Sequence, residues 1–258
     1  MRTLRWRHDS TSSIVSTRGG TMLKGKRIVI LGGSAGIGLA VAELAAREGA
    51  HVVIGSSTRA RVDSALARLP GAEGHVVDLR DESAVRGLFE RIGRLDHLVY
   101  TAGEELLIAP LAQLDLVKAR QFFELRYWGA LAAIKAAAPR LARDGSIVLT
   151  SGAAGHRPHP GFVIGGSICA AMEAVARALA IELAPIRVNV VTPGFVDTGL
   201  WSNVPEEARH QMFRDAAARL PVGHVAQPAE IAEHYLGFMR GRYVTGQSLL
   251  VDGGGVLV

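Results

Sequence analysis

The feature that constrains this chain most is a glycine-rich turn set between a strand-like and a helix-like segment. Residues 27–31 read Arg-Ile-Val-Ile-Leu, a short β-branched run of the kind buried on both faces of a sheet. Gly32, Gly33, Ser34, Ala35, Gly36, Ile37 and Gly38 follow, and then LAVAELAAREG places Ala and Leu at helical spacing. A turn of this composition in this context lets backbone N–H groups approach a pyrophosphate, and the helix N-terminus adds partial positive charge. Glycines alone signal only a tight turn. The flanking strand and helix make nucleotide binding the expectation.

The same alternation continues along the chain. Strands are expected over residues 51–55, 74–78, 97–101, 146–150, 187–192 and 248–251, with helices over 60–69, 82–91, 114–141, 167–183 and 229–239. Short apolar runs alternating with amphipathic helices make βαβ units and a parallel sheet. No composition break divides residues 22–258. The expected fold is therefore α/β, a doubly wound parallel sheet in a single domain. Residues 1–21 differ. Four Arg against one Asp give them a net +3 of the chain's +5, with Ser and Thr but no apolar period. A disordered tail, or an upstream start ahead of Met22, is expected there. A basic, Ser-rich transit peptide is the alternative, which Asp9 does not favour.

Charge and composition exclude other classes. The +2 left outside the tail is too small for a nucleic-acid surface. No run of about 18 continuously apolar residues occurs, so no membrane span is expected. The single cysteine excludes an internal disulfide and multi-Cys metal sites. A reducing, cytoplasmic setting is the simplest reading, with no metal.

The end of the second strand indicates which dinucleotide is bound. A site for NAD places a carboxylate there, to accept from the ribose 2′-OH. No Asp or Glu lies between Gly49 and Asp63; Ser56, Ser57, Thr58 and Arg59 stand there instead. Hydroxyls and a guanidinium suit a 2′-phosphate, which a carboxylate would repel. NADP(H) is the expected cofactor, against the bland alternative of a polar turn with Arg59 in solvent.

The G-G-x-x-G-x-G spacing resembles that of the short-chain dehydrogenase/reductase family, and ordered motifs extend the likeness over residues 24–256. The resemblance implies a Rossmann fold. Asp78 and Leu79, ending the third strand, would lie at the adenine. Ala102 and Gly103 end the fourth strand, where Tyr100 and Thr101 replace the family's two Asn. Pro193 and Gly194 would turn beside the nicotinamide, followed by Val196 and by Thr198 at the position that usually contacts the carboxamide. Residues 243–247 and 251–254 resemble the family's C-terminal strand.

The family's catalytic residues are Asn, Ser, Tyr and Lys. Tyr moves the proton, Lys lowers its pKa, Ser orients the carbonyl and Asn holds a water relay. None of Tyr100, Tyr127, Tyr235 and Tyr243 has a Lys four residues later. In the register set by residues 170–184, the Lys position is Cys169 and the Tyr position is Gly165. Residues 145–155 put the Ser position on Gly152, beside Ser151, and the Asn position falls on Arg126.

Hydride addition to a neutral ketone builds an alkoxide, for which a positioned acid contributes about 10²–10⁴ in rate. An iminium carbon is already cationic and becomes a neutral amine. The chain therefore reads as an NADP(H)-dependent oxidoreductase acting on a small organic substrate, an imine or iminium rather than a ketone. In lacking the tyrosine it is similar to fungal relatives that reduce cyclic iminium intermediates. The alternative is a catalytically silent NADP(H)-binding sensor or partner subunit, and a non-redox enzyme on the same fold is a third reading.

The replacement groups each carry two readings. Arg126 is always charged; it anchors an anionic group or polarises an oxygen, or it pairs locally with Glu124 or Glu104. Glu104 and Glu105, at the crevice mouth, stabilise a cationic imine or belong to a solvated loop. His156 and His159 follow the serine strand, where a near-neutral imidazole is a candidate proton donor. Cys169 has no basic neighbour in sequence and reads as core. The candidate catalytic set is Arg126, Ser151, Glu104 and His159. Residues 197–225 form the expected lid, with Trp201, Met212, Phe213 and Leu220 on its apolar side. The Ala-rich helices 114–141 and 167–183 favour close packing, and in the resembling family they pair across a two-fold axis. A homo-oligomer, tetramer or dimer, is expected, with no nucleic-acid or membrane partner.

Overall fold

In the computed structural model, which describes residues 22–258, the first strand shows why the sheet is covered on both sides. The tail expected over residues 1–21 lies outside the described residues. β1 (Arg27–Leu31) sends Val29 and Leu31 into one apolar core and Ile28 and Ile30 into the other. These four side chains are fully buried, each worth about 1.5–3 kcal/mol relative to exposure. A strand apolar on both faces needs a helix layer on each.

The remaining strands are β2 (His51–Ser56), β3 (Glu73–Val76), β4 (Leu95–Tyr100), β5 (Leu141–Thr150), β6 (Arg187–Pro193) and β7 (Ser248–Val251). They form one parallel seven-stranded sheet in the order β3-β2-β1-β4-β5-β6-β7. The chain winds outward from β1 to β3, then crosses back to place β4 on the other side of β1. That reversal opens a crevice at the carboxyl ends of β1 and β4, where ligands bind in such sheets.

Helices α1 (Gly36–Arg47), α2 (Arg59–Leu66) and, late in the chain, α8 (Pro228–Arg240) cover one face. The other face is covered by α3 (Glu82–Ile92), α5 (Gly129–Ala137) and α6 (Val163–Glu182). By length and composition alone α6 is apolar enough to cross a membrane. It instead packs on β6 and β5, burying Gly165, Ile168, Met172, Glu173 and Ala176.

Two expectations are corrected. The single helix over 114–141 is instead α4 (Leu116–Phe123), a π-helical turn over Glu124–Trp128, and α5, with Leu141 already opening β5. Helical periodicity persists through such a turn, because one extra residue rotates the face without ending the helix. Residues 197–225 contain a helix the pattern did not announce, α7 (Glu206–Arg219). Its charged sequence buries only Ala216, so there is little apolar period to read.

Candidate active site

The glycine turn is backbone packed against backbone. Gly32 and Gly36 have φ of 89° and 52°, where side chains are strained. A β-carbon on Gly38 would lie 2.2 Å from the Gly32 carbonyl oxygen and 2.4 Å from Thr101 Oγ1. Thr101 Oγ1 itself donates to the Leu31 carbonyl at 3.2 Å, tying β4's end to β1's. The turn therefore presents bare backbone at the N-terminus of α1, the surface a pyrophosphate requires. Ile37 is half-buried beneath it.

The 2′-phosphate candidates divide. Ser56 is buried, and its hydroxyl shares a 2.7 Å hydrogen bond with Ser34, joining β2 to the glycine turn. Ser57 and Arg59 are exposed, and Arg59 rests 3.7 Å from Asp63 one helical turn on. Thr58 caps α2 by accepting from Arg61 N–H. The exposed donors at the end of β2 are thus those of Ser57 and of Arg59, which rests against Asp63. These residues fit NADP(H).

Asp78 is held by Arg80, which donates from Nε at 2.9 Å and from its terminal nitrogen at 3.2 Å. These bonds keep the Asp78 carboxyl below the usual carboxylate range. Leu79 turns into the core. On the far side of the crevice, a β-carbon on Gly194 would strike Asp252, and Pro193 is buried. Val196 is buried and accepts from Trp201 Nε1–H at 3.0 Å. Thr198 stands at the glycine turn, with its methyl 3.3 Å from where a Gly36 β-carbon would be. Trp201 stacks on Phe195 and meets Phe213 edge-on. The lid's large aromatic is therefore packing within the protein rather than lining an open pocket.

The π-helical turn places Arg126. Within it the Leu125 carbonyl accepts from the buried Tyr100 hydroxyl at 2.6 Å. Gly129 makes room, since a β-carbon there would lie 2.8 Å from both Tyr100 Oη and the Leu79 carbonyl. Burial pushes the Tyr100 phenol up, so it stays a neutral donor. Arg126 lies flat against Gly103, whose β-carbon would be 2.7 Å from the guanidinium carbon, and over the Phe122 ring at 4.7 Å. It donates to the Glu104 carbonyl, and its Nε is 3.4 Å from Glu104 Oε2. That last approach is an ion contact without an aligned hydrogen bond, so both atoms keep unused bonding capacity. Burial raises the Glu104 carboxyl and lowers the Arg126 guanidinium, while each opposes the other's shift. Of Arg126's two proposed local partners, Glu104 is the one engaged.

Gly152 and Cys169 meet. Cys169 Sγ is the nearest atom, at 3.1 Å, to where a Gly152 β-carbon would be. Gly165 lies one turn before Cys169 on α6, and a β-carbon there would meet only Phe162, at 3.6 Å. Burial pushes the Cys169 thiol up, with Arg126 pulling the other way. Cys169 is half-buried and belongs to neither apolar core, so the expected core cysteine instead lies against Gly152.

The other catalytic candidates are not brought together. Ser151 turns toward α6 and donates to the Cys169 carbonyl at 2.9 Å. His159 is exposed and packs edge-on to Phe162, without a hydrogen bond or ion pair to Arg126, Glu104 or Ser151 among the described residues. Its neighbour His156 is the engaged imidazole, donating from Nε2 to Glu173 at 2.9 Å. Glu173 was absent from the sequence candidates, because nothing in an Ala-rich helical run marks a buried carboxylate. Glu105 accepts from Ser202 Oγ at 2.8 Å, bridging the loop after β4 to the lid.

Comparison with known proteins agrees with this architecture. The family profile described as Enoyl-(Acyl carrier protein) reductase matches residues 32–255. The chain is 36% identical to the short-chain dehydrogenase/reductase ATR9 of Stachybotrys chlorohalonatus, over 91% of this chain and 98% of that protein. It is similar to the solved structure of MalC reductase/Diels-Alderase from Malbranchea aurantiaca, with a TM-score of 0.87 and 28% identity over 93% of this chain and 100% of that one. It is also similar to an NADPH-bound short chain oxidoreductase of Pseudomonas aeruginosa PAO1 containing an atypical catalytic center. That match has a TM-score of 0.81 and 29% identity, over 89% of this chain and 96% of the other.

Proposed function

The chain belongs to the short-chain dehydrogenase/reductase family and is an oxidoreductase using NADP(H), and from that premise we propose that it acts on an imine or iminium rather than a ketone. The observation that carries this is that Cys169 Sγ lies against Gly152 with Gly165 one helical turn before it, at the positions where the family's ammonium, hydroxyl and phenol are expected. When bound, NADP(H) supplies or accepts the hydride. The glycine turn holds its pyrophosphate, and Ser57 and Arg59 hold the 2′-phosphate.

The residues present suit a cationic substrate. Arg126 would repel an iminium if it were free, but its charge is offset by Glu104. In this reading the Glu104 carboxylate, whose buried Oε2 has no hydrogen-bond partner among the described residues, shifts part of its charge from Arg126 to a cationic substrate when one binds. An iminium needs no proton donor during hydride transfer, so the missing acid costs nothing. The Arg126 guanidinium keeps the second task of binding an oxygen on the substrate. Support also comes from relatives, since MalC is a reductase and the Pseudomonas enzyme has an atypical catalytic center.

Anaerobic NADPH consumption against matched cyclic imines, N-alkylated iminium salts and ketones tests the reading. Faster reduction of the imines and iminium salts is expected, and equal turnover of the matched ketones would sink it. Failure of every panel with NADPH still bound favours a silent NADP(H)-binding protein. The site is that of a cytoplasmic homo-oligomer in our reading. Leu116, Val117, Trp128 and Ile181 leave apolar surface exposed on α4, the π-helical turn and α6, as a packing face between copies would. A monomer at micromolar concentration in light scattering refutes the oligomer.

A further inference from the structure

Glu173 is a buried carboxylate in a helix otherwise built mostly of small and apolar residues. Its Oε1 gathers three donors from two segments that are separate in sequence, the β5–α6 connection and the end of β6. His156 Nε2–H reaches it at 2.9 Å from the turn after β5, and Ser151 Oγ, whose one proton is shared with the nearer Cys169 carbonyl, lies 3.3 Å away at the end of β5. Thr192 Oγ1–H reaches it at 3.2 Å from the end of β6. Thr192 accepts in turn from Ser248 Oγ–H on β7 at 2.7 Å, which extends the network across the sheet. An ionised group in such a place is costly unless hydrogen-bonded and paired. Here the bonds offset the cost and, in doing so, bind the β5–α6 connection and the end of β6 to one face of α6.

The placement of those donors gives the network a direction. Ser151 directly precedes Gly152, and Thr192 directly precedes Pro193 and Gly194. In a doubly wound sheet the two halves of a dinucleotide lie on either side of the switch point. The glycine turn and the Ser57–Arg59 donors occupy the β1–β2 side. The nicotinamide half therefore lies over the carboxyl ends of β4, β5 and β6. We infer that Glu173 is the positioning residue of the nicotinamide half, holding the ends of β5 and β6 and the turn over residues 153–157 in one plane against α6. This rests on the NADP(H) oxidoreductase reading and deepens it. Gly152, Gly165 and Cys169 offer no charged or hydroxyl side chain to organise that floor from above, so it is organised from beneath.

The test uses two ligands that differ in which half they occupy. NADPH spans both halves, and adenosine 2′,5′-bisphosphate fills the adenosine half alone. Titrations of the full chain are expected to show Glu173→Ala weakening NADPH about tenfold, with loss of the nicotinamide fluorescence enhancement. The bisphosphate should bind within about twofold of wild type. Glu173→Gln, which keeps an acceptor oxygen in place, should bind both ligands nearly as wild type does. If Glu173→Ala does not fold, Thr192→Val removes one donor from the same network. It should reproduce the pattern at about threefold. Equal weakening of both ligands by a folded variant overturns the inference, as does unchanged NADPH binding, or a folded Glu173→Gln that binds like the alanine variant. A wild-type chain that binds the bisphosphate but not NADPH refutes the oxidoreductase reading itself, and this inference with it.

Discussion

The two halves of the crevice are built by different means. The adenosine half, around β1 and β2, is made of backbone. Gly32, Gly36 and Gly38 exclude side chains, and Ser34 and Ser56 tie the turn to the next strand. The nicotinamide half, around β4 to β6, is made of side chains that meet across long sequence separations: Tyr100 with Leu125, Arg126 with Glu104, and Ser151, His156 and Thr192 with Glu173. Backbone recognition of a phosphate depends on the absence of side chains and tolerates little change. A side-chain network can exchange members and keep its shape. The difference suits the proposal that one half keeps the dinucleotide fingerprint while the other exchanges its reacting groups.

The comparison breaks most readily at Gly38. A β-carbon there collides with the Gly32 carbonyl oxygen, a backbone atom that cannot swing aside. Gly38→Ala is expected to cost about 2–3 kcal/mol in the loaded turn, roughly 30–150-fold in NADPH Kd. Fluorescence titration measures it, and near-wild-type affinity would show that the turn is more yielding than its packing implies.

Glu104 provides the next largest effect, on the other half. Its carboxyl is raised by burial, so it protonates above the ordinary carboxylate range as pH falls. Reduction of an N-alkylated iminium, whose own charge does not titrate, should therefore decline on the acid side with that group. Glu104→Gln should remove this acid limb and slow reduction at neutral pH by about thirtyfold, or ~2 kcal/mol, while NADPH Kd stays within about threefold. An acid limb that survives the substitution assigns the titration to another group.

Arg59→Ala sharpens the comparison within the adenosine half, where it tests a side chain set among backbone donors. Wild type should prefer NADPH over NADH by at least about tenfold, ~1.4 kcal/mol. The variant should lose most of that gap while binding NADH unchanged. The expected loss is modest because the guanidinium is exposed and already rests near Asp63, and exposed charge contacts are screened. Equal affinities in wild type would remove Arg59 from the site.

Much of this was legible in residues alone, and where legibility ended is instructive. The β-branched runs, the glycine turn and the missing carboxylate after β2 announced the fold, the cradle and the cofactor. They did so because strand burial, glycine dihedrals and charge repulsion are local properties of short segments. The register proposed for Gly152, Gly165 and Cys169 was likewise counted along one strand and one helix. The sequence could not choose between Glu124 and Glu104 as the partner of Arg126, nor between His156 and His159, nor find Glu173 at all. A π-helical turn of one extra residue swings Arg126 toward Gly103 and Glu104, and three hydroxyl and imidazole donors converge on a carboxylate that lies in an unremarkable helical run. Such pairings depend on which side chains the winding of the sheet brings within about 3 Å of one another, and burial then fixes their energies. Sequence spacing carries neither quantity, so only the tertiary structure decided them.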